Sequence, residues 1–184
     1  LKNKRLLGYV GTGAFLYAGM YAYIAGTPFA YISYYHVPAQ KYGLLFAVGI
    51  VGIMFANMLN ARLVLRHGYD RVLLVGCFAC AFSAIITAFA ARSGLVVPLF
   101  IFASTTGLIV ANSITGAMAL FPERAGAVSA LTGALQYGSG ILGSGLVGLF
   151  ADNTPWPMGW VIGVCGIGCL VSTLLLLPTR SGGN

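Results

Sequence analysis

From Val72 to Ala91 the chain reads VLLVGCFACAFSAIITAFAA, without a single charged residue. At 1.5 Å per residue, a helix of that length crosses the ~30 Å hydrocarbon core of a bilayer. Other stretches do the same, and the predicted spans are 7–32, 41–63, 72–91, 96–120, 126–150 and 157–177. In lipid every backbone N–H and C=O must be paired internally, so a chain with such runs folds as helices that satisfy themselves. The expected fold is all-α: six transmembrane helices forming a single domain over 1–184. Composition points the same way, since 59% of the chain is hydrophobic and 7% charged, against about 25% charged in a soluble domain.

The short connections carry the turn chemistry and the charge: Tyr34-Tyr-His-Val-Pro38, Arg66-His-Gly-Tyr-Asp-Arg71, Ala91-Arg-Ser-Gly94, Phe121-Pro-Glu-Arg124 and Asp152-Asn-Thr-Pro155. A net charge of +7 would suit an acidic partner such as nucleic acid. Here the basic residues sit singly or in small groups at the ends of apolar runs, so they read as topology determinants and lipid-headgroup contacts, with no nucleic-acid partner. With the N-terminus inside the cell, Lys2, Lys4, Arg5, Arg62, Arg66, Arg71, Arg124 and Arg180 are cytoplasmic. Only Lys41 and Arg92 fall outside. That asymmetry puts both termini in the cytoplasm. A secretory leader is not expected, because the first apolar run is too long and no small-residue cleavage site follows a short core.

The helices differ in polarity. The third and sixth are rich in Leu, Val, Ile and Cys and suit a lipid-facing periphery. Their cysteines, Cys77/Cys80 and Cys165/Cys169, lack an accompanying histidine and read as small apolar residues rather than a metal or redox site. The first, fourth and fifth carry Tyr17, Tyr21 and Tyr23, then Ser104-Thr-Thr106 and Asn112-Ser113, then Thr132, Gln136, Tyr137 and Ser139. The second adds Asn57 and Asn60. Polar side chains in a bilayer face the bundle interior or a wet cavity, so four helices are expected to surround a cavity.

Within the fifth span, Gly126, Ala130, Ala134 and Gly138 recur at i+4, as do Gly140, Ser144 and Gly148. The first span repeats the device with Ala14, Ala18, Ala22 and Gly26. Small residues at that spacing let helix backbones approach closely, so these rows are expected to be packing surfaces. Gln136 lies near mid-depth, where transporters hold their substrates, beside Tyr137. Tyr17 and Tyr21 share a face at similar depth, and aromatic rings with hydroxyl handles suit large apolar ligands. The candidate substrate-binding residues are therefore Tyr17, Tyr21, Asn57, Asn112, Gln136 and Tyr137.

Several pieces together carry a family likeness. They are Thr27-Pro-Phe-Ala-Tyr-Ile-Ser33, Val37-Pro-Ala-Gln40 and Tyr42-Gly-Leu-Leu-Phe-Ala47, then Asn60-Ala-Arg-Leu63 with Arg66 and Gly68. They continue with Asn112, Ala117-Met-Ala119, Phe121-Pro-Glu-Arg-Ala-Gly126, Ser129-Ala-Leu131 and Gly133-Ala-Leu-Gln136. In order and spacing this resembles the bicyclomycin- and chloramphenicol-resistance branch of the major facilitator superfamily, over nearly the whole chain. The resemblance implies a C-terminal half, helices seven to twelve of a twelve-helix bacterial drug exporter, built as three plus three inverted repeats. It implies a cavity lined by helices seven, eight, ten and eleven, with nine and twelve outside. It also implies small apolar drug substrates, proton antiport across the inner membrane with no cofactor, and an N-terminal six-helix half as partner.

This sequence departs from the family pattern in informative places. The proton-coupling acid, the Gly-Pro signature and the helix-four arginine all belong to the other half in such exporters. Arg66 and Gly68 fit the facilitator gating loop, but Leu65 stands where the first half has an aspartate, which argues against a charge-based gate. Ala111 occupies a position often filled by proline. Asp70, Glu123 and Asp152 are the only acids. They fall in or beside loops, as do His36 and His67, so no titratable group for proton coupling is expected within the membrane.

Ser139 and Ser144 sit in Gly-Ser-Gly, but no span holds a histidine to act as base, which argues against an intramembrane serine protease or any other enzyme. Metal transport lacks its carboxylate or histidine cluster. The alternative from a different class is a self-associating six-helix module, a homodimer acting as a passive facilitator or channel, or as an assembly component. Facilitated diffusion without pumping would distinguish it.

Overall fold

A computed structural model describes residues 3–90 and 94–176. It contains α1 (Lys4–Pro28), α2 (Ala39–His67), α3 (Tyr69–Ala90), α4 (Val96–Ala119), α5 (Ala125–Leu149) and α6 (Trp156–Leu174), and no strand among the described residues. Lys2, Arg92 and Arg180 of the topology argument lie outside the described residues, as do positions 91 and 177 at the ends of the predicted third and sixth spans.

The helices begin and end for local reasons. Asn3 caps α1, its side-chain oxygen accepting from the Arg5 and Leu6 amides at 3.0 and 3.4 Å, donors that a first turn leaves unpaired. At the other end, Pro28 lacks the N–H that would bond back into α1. The chain widens there into a π-helical turn, Phe29–Tyr34, with Tyr35 N–H reaching Ala30 O at 3.0 Å. The predicted first span, 7–32, thus conceals a change of helix type. Gly68 closes α2 with φ +77°, a conformation that favours glycine, and lets α3 start at the next residue. Asp152 Oδ1 accepts from the Thr154 amide and hydroxyl at 3.0 and 2.7 Å, and the Thr154 hydroxyl receives Trp156 N–H at the start of α6.

α2, α3, α4 and α6 combine the length with the hydropathy of membrane spans. α1 and α5 are 25 residues each but are diluted by glycine and hydroxyl-bearing side chains. Their hydropathy is lowered by the same residues that let them pack closely.

The packing has a hidden two-fold pattern. α1 lies against α5 and α6, α4 lies against α2 and α3, and the pairs α1–α4 and α3–α6 complete the bundle. Exchanging α1 with α4, α2 with α5 and α3 with α6 leaves these pairs unchanged; α4 also touches α5, a smaller contact that α1 and α2 do not match. Because short connections reverse the chain at each step, the second triplet runs opposite to the first, which is the arrangement of an inverted repeat.

α3 and α6 pack on each other and on the central pair through one face, burying Leu73, Cys77, Cys80 and Ala84 with Val161, Ile162, Cys165 and Cys169. Their outer faces expose Val75, Phe78, Phe82 and Phe89, and Val164, Ile167 and Val171. That is the expected lipid-facing periphery. α2 is the least covered helix, burying only Gly49, Gly52, Ala56 and Asn60 among its described residues.

One packing expectation is corrected. Gly126 and Gly138 have nothing near the position a Cβ would take, and Ala130 and Ala134 between them are exposed. Gly148, at the end of the second row, is also open. The buried face of α5 is Val128, Thr132, Gln136, Gly140 and Gly143 instead. Spacing identifies a smooth stripe but carries no information about what lies against it. The α1 row does pack: a Cβ on Gly26 would fall 2.7 Å from Met158, and Ser139 donates to Ala14 O at 2.7 Å.

Candidate functional site

Three tyrosines from two helices converge at mid-bundle. Tyr17 and Tyr21, one turn apart on α1, stack with ring centroids 6.3 Å apart and planes 24° apart. Tyr137 on α5 meets Tyr17 edge-on at 5.3 Å and 76°. Gly140 makes room for the group, since a Cβ there would lie 2.8 Å from the Tyr21 ring. Tyr17 and Tyr21 are half-buried, while Tyr137 is 58% exposed. The cluster therefore opens outward over an uncovered face of α5, presenting aromatic surface with hydroxyl edges. Such a surface suits flat apolar ligands bearing a few polar groups.

The remaining predicted contacts do not join it. Asn57 is exposed on α2. Asn112 is only 3% exposed and donates to Asn60 Oδ1 at 2.7 Å and to Leu108 O at 2.6 Å. Gln136 is 2% exposed, and its Nε2 abuts Gly13 without a hydrogen-bond partner. Asn112 and Gln136 are thus corrected from cavity-lining groups to groups buried in helix seams. A polar side chain in an apolar helix turns to the nearest polar partner or to the space a glycine leaves, and both lay on neighbouring helices.

In the gating loop, Arg66 is exposed on the last turn of α2, and Gly68 supplies the turn. The charge contact forms elsewhere: Tyr9 donates to Asp70, and Arg5 lies 3.7 Å from the same carboxylate. Tyr9 is buried, its ring filling the space over Gly116. This ties the starts of α1 and α3 to the last turns of α4. In the connecting segment, burial raises the Tyr35 phenol above its usual pKa, and neighbouring Tyr34 adds to the shift, so Tyr35 stays neutral at physiological pH.

Two cavities escaped the residue-by-residue reading. One, about 310 Å³, lies where the ends of α1 and α5 meet the start of α6, between Phe29, Val147, Asp152 and Met158. The other, about 140 Å³, is walled by Tyr23, Tyr31, Tyr42 and Phe46. Its rings contact one another at 6.0 to 6.2 Å. The run of aromatics from Tyr31 to Phe46 was a visible signal, but only the π-helical turn brings Tyr31 inward. Among the described residues, no group of three or more His, Cys, Asp or Glu is placed to hold a metal ion.

A Bicyclomycin resistance protein homolog of Haemophilus influenzae is 27% identical to this chain over 169 residues, covering 89% of the chain and 42% of that protein. An uncharacterized MFS-type transporter of Bacillus subtilis, YdgK, is 30% identical over 189 aligned residues, covering all of the chain and 47% of its own length. The chain spans less than half the length of these curated relatives. Residues 10–184 match the model of the Major Facilitator Superfamily. With its all-helical fold and apolar helices long enough to cross a bilayer, this chain is a membrane protein belonging to the Major Facilitator Superfamily.

Proposed function

We propose that the chain is the C-terminal, cavity-forming half of an exporter of small apolar drugs such as chloramphenicol or bicyclomycin. The observation that carries this reading is the Tyr17–Tyr21–Tyr137 cluster opening beside the bare small-residue stripe Gly126–Ala130–Ala134–Gly138. A second six-helix half, normally in the same polypeptide, covers that stripe and the exposed apolar face of α2. The tyrosines then line a cavity at the interface, and the two halves rock about it to give alternating access. The similarity to the bicyclomycin resistance homolog supports the drug class.

Export runs by proton antiport, with the titrating carboxylate in the N-terminal half. Asp70, Glu123 and Asp152 lie at helix starts or in connections, where they do not sense the membrane interior. The site is in the bacterial inner membrane with both termini cytoplasmic, as the distribution of Lys and Arg favours.

The test is drug-driven proton movement in proteoliposomes, read by an internal pH-sensitive dye with chloramphenicol as first drug. The chain paired with a six-helix N-terminal half gives coupled flux, and the chain alone gives none. Coupled flux from the chain alone would overturn the division of labour. Within the paired protein, Tyr17→Ala and Tyr137→Ala lower export several-fold at unchanged membrane insertion. Unaltered export in both would remove the cluster from the site.

A further inference from the structure

The four cysteines, apolar packing residues by sequence, meet in one seam. Cys77 and Cys80 come from α3, Cys165 and Cys169 from α6, and all four are free and buried. Cys77 Sγ and Cys169 Sγ are 3.5 Å apart. Cys80 also interacts with Cys169, and Cys165 with Cys80. At van der Waals contact, two sulfurs need only close to the ~2.05 Å of a disulfide, a movement within reach of side-chain rotation when the helices already touch.

Cys77 is distinguished from the others by a donor. The Thr173 hydroxyl lies 3.1 Å from Cys77 Sγ, 3.0 Å from Cys169 O and 2.8 Å from the Thr12 hydroxyl, so its one proton is shared between the sulfur and the Cys169 carbonyl. A hydroxyl in contact with the sulfur offers a polar partner for the thiol proton as Cys77 reacts. Burial selects the reagent. Both sulfurs are wholly covered, so a bulky disulfide such as glutathione is excluded, whereas a neutral, water-sized oxidant penetrates.

We infer that Cys77 and Cys169 form a peroxide-sensitive dithiol that closes into a reversible disulfide between α3 and α6. Cys77 sulfur attacks one oxygen of hydrogen peroxide. The O–O bond breaks, an S–O bond forms, and the thiol proton leaves with the departing oxygen as water. Cys169 sulfur then displaces the remaining oxygen. The S–O bond breaks, the S–S bond forms, and the second thiol proton completes a second water. The two sulfurs are oxidised by two electrons in total and the peroxide is reduced. α3 belongs to the first triplet and α6 to the second, so the bond staples the two inverted repeats. This inference is independent of the transport reading.

The experiment treats the purified full protein with hydrogen peroxide, blocks remaining thiols with a maleimide under denaturing conditions, and maps peptides by mass spectrometry. The expected product links the Cys77 and Cys169 peptides, disappears on reduction with a phosphine, and persists in Cys165→Ala and Cys80→Ala. It is absent from Cys77→Ala and Cys169→Ala. Oxidation raises the Tm by several degrees and reduction returns it. Thr173→Val slows cross-linking several-fold without changing the yield of folded protein. Two results overturn the inference in the unmodified protein, whatever the variants do. One is a dominant Cys80–Cys169 link; the other is full maleimide labelling of both thiols after peroxide has oxidised the methionines.

Discussion

The α1–α5 and α2–α4 seams each join one triplet to the other and change places under the two-fold exchange, yet they are closed differently. Both hinge on a glycine pressed against backbone. A Cβ on Gly143 would lie 2.0 Å from Ala18 O, and one on Gly107 would lie 2.7 Å from Ile53 O. The α2–α4 seam then pairs its amides, with Asn112 donating to Asn60 at 2.7 Å. The α1–α5 seam is tighter, opened for approach by Gly13, Gly140 and Gly143 together, but it leaves Gln136 Nε2 wedged over Gly13 with no acceptor. Close approach and polar satisfaction are separate properties. An unmet buried donor costs ~1–3 kcal/mol, so the seam that carries the tyrosine cluster is also the one with a built-in reason to relax.

Substitutions at these positions break or sharpen that contrast. Gly143→Ala is expected to have the largest effect, about 3 kcal/mol or loss of the folded protein, because backbone rather than a flexible side chain meets the new methyl. Gly107→Ala follows at about 2 kcal/mol. Thermal unfolding in detergent reads both, and a Gly107 variant less stable than the Gly143 variant would reverse the ranking of the seams. Asn112→Leu is expected to cost about 1 kcal/mol by stranding Asn60, in the range of interhelical hydrogen bonds in membranes. The smallest change is Gln136→Leu, which keeps the volume, removes the unmet donor, and leaves the Tm equal or higher. A Tm drop there of the size seen for Asn112→Leu would show that the Gln136 amide is paired after all.

Much of the architecture was legible residue by residue. Uncharged runs of bilayer length place the helices to within a few residues, because in lipid nothing but an internally bonded helix satisfies the backbone. Which helices are polar and which plainly apolar was legible too, but not their exposure: α3 and α6 turn apolar faces outward as expected, whereas α2, read as an inner helix, is the least covered. Part of the aromatic cluster was legible: Tyr17 and Tyr21 share a face of α1, and Tyr21 meets α5 where Gly140 leaves space for its ring. Asn112 and Gln136 were misread for one reason. Spacing reports which face of its own helix a residue occupies, and says nothing of which helix stands opposite.

The same limit explains the cysteines and the glycine stripe. Cys77-Phe-Ala-Cys80 looked isolated because its partners lie some ninety positions further along, on α6. Gly126 to Gly138 looked packed because smoothness is encoded locally and contact is not. The sequence by itself determined that this chain crosses a membrane as helices, where those helices begin and end, and which surfaces are apolar. Those outcomes follow from backbone hydrogen bonding and transfer out of water, which act on each segment alone. The tertiary structure decided which thiols touch, which amides pair and which tyrosines share an opening, because those depend on the few neighbours that two interleaved triplets bring within van der Waals reach.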